Sequence, residues 1–202
     1  MKRILIIFLL AFSTMDLSGS SKGAKRFTFG TEWGYVGSFH CGIHHNFFSE
    51  EGYRVDLVEN NLAFQGNGEV YLHTGYNLTQ DWNLSLYAGL AGIYDFHRAI
   101  PISLRITRYF KTRASSDRWL AFADGGSGIC LTSNIQGILT GKAGFGYSIT
   151  LSQDTTIDLL LAYRMTLTHP EIIYDGYEIN HNRINRNNAY VSALSLSLAL
   201  NF

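Results

Sequence analysis

Residues 166–171 of this 202-residue chain read Thr-Leu-Thr-His-Pro-Glu. They put hydroxyls, an imidazole and a carboxylate in one short stretch. Nucleophilic catalysis uses such groups: a hydroxyl to attack, a base within hydrogen-bond reach to take its proton, and an acid to orient the base. Thr166, Thr168, His169 and Glu171 are the residues of those types here. A second kind of chemistry is raised by His40, His44 and His45, because neutral imidazole suits transition metals. Their spacing matches no fixed ligand pattern, so no metal and no cofactor is expected there. A third group comprises Glu32, His73, Arg105, Asp124, Lys142, Asp158 and Arg164, ionisable side chains set among apolar or small residues. Buried charges must find partners, so their chemistry is ion pairing.

What must position these groups is a strand pattern. Ala193 to Phe202 read ALSLSLALNF, with Leu194, Leu196, Leu198, Leu200 and Phe202 on one parity and Ala, Ser and Asn on the other. Successive side chains of a strand point to opposite faces, so the segment has one large apolar face and one small polar face. Comparable alternation runs over Arg26–His40, Glu69–Leu78, Asn83–Tyr94, Ala99–Phe110, Arg118–Leu131, Gln136–Leu151, Thr155–Thr168 and Ala189–Phe202. Outer-membrane barrels combine short periplasmic turns with longer surface loops. The turns 79–82, 111–117 and 152–154 fit the first kind; 41–68 and 169–188 fit the second, with the short links 95–98 and 132–135 on the same side. The pattern predicts an all-β, antiparallel, up-and-down transmembrane β-barrel of eight strands. Within 41–68, alternation at Tyr53, Val55 and Leu57 and at Leu62 and Phe64 predicts a hairpin above the membrane. If that hairpin entered the membrane, the barrel would have ten strands.

Size decides which face is which. In Gln136–Leu151, Lys142, Gly144, Gly146, Ser148 and Thr150 oppose Ala143, Phe145, Tyr147, Ile149 and Leu151. A narrow barrel has room inside only for compact packing, so the small parity faces in and the large apolar parity faces lipid. Glu32, His73, Arg105, Lys142 and Arg164 then point inward near mid-strand, with Asp158 lower. Asp124 belongs inside as a bridge between Arg105 and Lys142, which also turns Leu120 and Phe122 inward unless a bulge at Gly125-Gly126 intervenes. The expected interior is a paired plug. Trp82, Tyr109, Trp119 and Phe202 at the periplasmic strand ends predict an aromatic girdle.

Composition agrees. Charged residues make up 16% of the chain and hydrophobic ones 46%, against roughly 25% charged in an ordinary soluble domain. The formal net charge is zero, which gives no reason to expect nucleic acid as a partner. Met1-Lys2-Arg3, the apolar run Ile4–Phe12 and the small polar run Ser13–Gly23 have the form of a secretory signal peptide. The expected organisation is a signal over 1–22, with cleavage between 18 and 24, and a barrel over 23–202. Cys41 and Cys130 end strands on opposite walls, and a disulfide needs Cα atoms within about 7 Å. The expectation is two thiols facing lipid or packed under loops.

With signal, strand alternation, loop asymmetry and a closing Phe202, the stretch Arg26–Phe202 resembles the eight-stranded outer-membrane proteins of the OmpA and OmpX type. FGTEWGY, EGYRVD, GYNLTQDWNLSLYAG, DRWLAFADGG and RNNAYVSALSLSLALNF also resemble barrel proteins of Bacteroidota. The resemblance implies an outer-membrane location, a lipopolysaccharide outer leaflet as lipid partner and a monomer, and it carries no activity with it. Two other families of eight-stranded barrels acylate or deacylate lipid A. Similarity to the deacylases would imply a His-x-Ser-Asn motif near 169; the chain has no Ser there, and Thr166 or Thr168 would have to replace it. Similarity to the palmitoyltransferases would imply a set such as Asp95, His97 and Ser103. The function expected is a surface-exposed anchor whose loops bind protein or glycan; the alternatives are a lipid A modifying enzyme and a small channel.

Overall fold

A computed structural model describes residues 26–94, 97–110, 117–131, 137–152 and 154–202. The expected signal peptide with its cleavage window, the link 132–135, and Asp95 with Phe96 lie outside the described residues. The strands are β1 (Phe27–Phe48), β2 (Arg54–Asn61), β3 (Gln65–Asn77), β4 (Trp82–Gly92), β5 (Arg98–Tyr109), β6 (Arg118–Cys130), β7 (Gly137–Thr150), β8 (Thr156–Thr168), the short β9 (Ile173–Tyr174) and β10 (Tyr177–Glu178), and β11 (Ile184–Asn201). The main sheet runs β11-β8-β7-β6-β5-β4-β3-β1-β2 and closes through β1 and β11. Because among the described residues β2 pairs with β1 alone, the closed ring has eight antiparallel strands. The ten-strand alternative is ruled out by that register: β2 meets only the upper half of β1, Cys41–Phe48, while β3 takes the lower half, Phe27–Ser38.

Closure follows from the two-residue period. Leu194 and Leu196 point outward and stay exposed, while Ser195, Ser197 and Ala199 are buried inside. The same division runs round the ring, with Leu72, Leu104, Phe145 and Leu159 outside and Tyr71, Arg105, Lys142 and Asp158 inside. The outer belt is far larger than the few hundred Å² of contiguous apolar surface that a water-soluble monomer tolerates. Among the described residues no helix is long and apolar enough to cross a membrane. The lumen is filled in layers, as a barrel this narrow must be. An apolar layer of Cys41, Ile93, Ala99, Cys130, Ile138 and Val191 lies at the end carrying β2, here the upper end. A second apolar layer of Leu120, Phe122, Leu160, Ala162 and Ala199 lies toward the lower end.

Three readings are settled differently from the expectation or its alternative. Residues 41–48 and 184–188, assigned to loops, continue β1 and β11 as paired strand. They remain extended because each has a partner, and a register shift between Ser38 and His40 lets both strands leave the barrel together. The bulge turns Phe39 and His40 to one side and exchanges the buried parity from Val36 and Ser38 to Cys41, His45 and Phe47. No bulge occurs at Gly125-Gly126: pairing of β6 with β5 and β7 is continuous from Leu120 to Ile129. Leu120 and Phe122 therefore sit inside with Asp124. Tyr109 is no girdle residue, because it shares the inward parity of Arg105 and Thr107 and packs on the lower apolar layer. Trp82, Trp119 and Phe202 do lie on the outside near the lower end, where Phe202 stacks on Phe29 at 5.3 Å.

Candidate functional site

Between the two apolar layers six charged side chains form one chain of ion pairs across the lumen. Register brings four of them into a single cross-strand row, Arg105, Asp124, Lys142 and Arg164. Arg105 reaches Asp124 at 2.8 Å and Glu32 at 2.6 Å. Lys142 spans Glu32 at 3.0 Å and Glu69 at 2.8 Å, and Arg164 completes the series on Glu69 at 3.2 Å. Three acids thus alternate with three bases. Further donors complete the acceptors, since Ser197 donates to Glu69 at 3.0 Å. The Arg105 guanidinium lies between the rings of Tyr87 and Phe122, 3.9 and 4.3 Å from their centroids. Sequence reasoning missed Glu69, although its parity with Tyr71 and His73 was the signal that places it inside. It also joined Asp124 to Lys142, whereas the Lys142 ammonium turns to the two glutamates.

His73 and Asp158 also lie in the lumen, outside this series. His73 stacks on Tyr87 at 4.6 Å, and neither ring nitrogen has a hydrogen-bond partner among the described residues. Asp158 accepts from Asn201 at 3.0 Å near the lower end.

Above the ring, β2, upper β1 and upper β11 form a three-stranded sheet. Residues 169–183 fold back over one of its faces. Their hairpin β9–β10 turns through Asp175 and Gly176, at φ 56° and 83°, as a two-residue turn of Asp-Gly type requires. Phe47, Ile172 and Ile179 form a small core there with Val55, Tyr174 and Ile184 around it. The opposite face is a polar grid. Arg186 donates to His44 Nδ1 at 3.3 Å, leaving Nε2 as the donor to Asp56 at 2.9 Å. That bond is the main reason the Asp56 carboxyl is held below the usual carboxylate range. Arg54 donates to Asn46 at 3.0 Å, and Tyr190 to Asn60 at 3.1 Å. The far edge of β2 meets no strand among the described residues.

The residues expected to catalyse differ in exposure, and Thr168 is half-buried at the end of β8. Thr166 is buried in the barrel wall and shares a hydroxyl contact with Thr140 at 3.4 Å, whereas His169 is exposed and Glu171 half-buried. His97 binds the Tyr94 carbonyl at 3.0 Å, and Ser103 is buried in the lumen. His44 and His45 lie on opposite faces of β1, and among the described residues no three metal-ligating side chains come together. Both cysteines occupy the upper apolar layer, so neither faces lipid. Inward parity and the narrow bore put opposite walls into one cluster there, and Cys130 Sγ donates to the Arg98 carbonyl at 3.4 Å.

No family model and no curated protein matches the chain. Solved structures do. Neisserial surface protein A is 13% identical with a TM-score of 0.55, over 89% of this chain and 98% of that one. Outer membrane protein OprG from Pseudomonas aeruginosa is 10% identical with a TM-score of 0.51, again over 89% and 98%. At such identities the likeness is one of fold, that of the eight-stranded outer-membrane barrel.

Proposed function

We propose that the chain is an outer-membrane protein whose plugged barrel anchors a surface sheet, and that the sheet binds an extended segment of a partner protein along β2. The observation that carries this reading is the β2 edge, Arg54–Asn61, which among the described residues is paired on one side only and lies against the upper part of β1. An unpaired edge presents a row of backbone donors and acceptors that an incoming strand can complete. The apolar belt supports the location, since only lipid accommodates it. The long connections and the sheet then lie outside the cell, with the short turns in the periplasm. The paired charges in the lumen favour an anchor over a channel, and the contrast between a buried Thr166 and an exposed His169 gives catalysis no support.

Leu57 and Val58 offer the test. Adjacent amides of a strand point to opposite edges, so Leu57→Pro and Val58→Pro divide the roles: one removes a donor from the free edge, the other from the ladder to β1. The folded protein in micelles is panned against displayed random heptapeptides, and amide exchange is followed with and without a selected peptide. The reading expects protection of 54–61 on binding, with binding lost in the free-edge variant whose β1–β2 hairpin stays protected. Peptides that protect other segments, or binding indifferent to both prolines, would refute edge addition.

A further inference from the structure

The outer wall carries a groove of about 1040 Å³. Its length is one cross-strand row, Leu159, Leu198, Trp33, Val70 and Leu90, in which each residue is paired with the next. The row is oblique to the barrel. Leu90 stands two residues below the upper end of β4, while Leu159 stands nine below the upper end of β8. The groove therefore climbs from beside the lower apolar layer to the upper rim. In the next row up, Tyr35 pairs with Gly68, and a Cβ on Gly68 would come no nearer than 3.9 Å to any atom. The missing side chain is what makes the depression. Arg98, exposed at the start of β5, also lines it and is the one cation among the described lining residues.

We propose that this groove holds a phosphorylated acyl lipid, its chain along the oblique row and its phosphate on Arg98. The proposal rests on the membrane reading above. In hydrocarbon a groove of this size is filled by chains, because an empty one forfeits the dispersion contacts of its whole lining. A guanidinium at the upper rim meets headgroups, where its planar fork matches phosphate oxygens in paired hydrogen bonds. The slope of the row gives a single chain both ends: rings and leucines below, the cation above.

The test uses the full chain inserted into vesicles, extracted in mild detergent and analysed by native mass spectrometry after exposure to bis-phosphorylated or dephosphorylated lipid A. Wild type is expected to retain the bis-phosphorylated lipid. Arg98→Gln should lower that retention on the order of tenfold, the loss of one charge-assisted contact, and leave the dephosphorylated lipid unchanged. Gly68→Leu fills the groove with a side chain suited to lipid, so the barrel still folds, and should reduce retention of both lipid A forms. Failure of the wild type to insert would overturn the membrane reading and the lipid site together. Insertion followed by no retention, or by retention equal in all three proteins, would overturn the site alone.

Discussion

Glu32 is the residue on which the lumen turns. It lies fully buried between Arg105 and Lys142, whereas Asp124 serves Arg105 alone. Removing one partner of a buried pair strands the charge left behind, typically at a cost of about 3–5 kcal/mol. Glu32→Gln should therefore lower the urea midpoint of the vesicle-inserted protein by more than Asp124→Asn does, read from the mobility difference between folded and unfolded forms; equal shifts would contradict the series as drawn. The residues of this network were legible to different degrees. Glu32, Arg105, Lys142 and Arg164 declare themselves as charges amid alternating apolar positions. Glu69 did not, because it opens the alternating stretch Glu69–Leu78, where a charge reads as part of the preceding loop, although β3 in fact begins at Gln65. Tyr109 deceived for the reverse reason: a ring at a strand end fits a girdle, and only parity with Arg105 shows that it turns inward.

Among the elements, the upper sheet contains a titratable group in a telling position. His45 faces the side covered by residues 169–183, buried, with Nε2 unpartnered among the described residues. Burial pulls its pKa below the ordinary 6.5, opposed by the nearby Glu59 and helped by His44. A lowered folded value means that the unfolded segment binds the proton better. The covering fold is thus stable above pH 6.5 and weakens as pH falls below it. Relative to the intrinsic exchange rate at each pH, protection of amides in 172–184 should fall between pH 7 and 5 while protection in β6 and β7 stays constant, and His45→Gln should remove the difference. β2 itself was hardest to read in advance, since it is exposed on almost every residue. With no buried face it has no two-residue burial period, and only its tie to β1 keeps it a strand. The eight wall strands each separate lipid from lumen, which is why their alternation survives in the sequence.

For the molecule as a whole, the layered lumen makes a prediction of its own. Apolar side chains close it above and below, with balanced charges between. Planar bilayers containing the inserted protein should show no discrete conductance steps in concentrated salt; regular steps would mean that the ion series opens. The upper sheet also inherits its bearing from the wall. β1 runs unbroken by any loop from Phe27 to Phe48, and β11 accompanies it to the top. From Cys41, in the upper apolar layer, to Phe48 the strand rises about 24 Å, at about 3.4 Å per residue, with no intervening loop. A load applied to a captured partner would pull along those strands, setting their ladder bonds in shear so that many must yield together. The barrel is then a mechanical footing, and tension on the tip is carried directly into the bilayer.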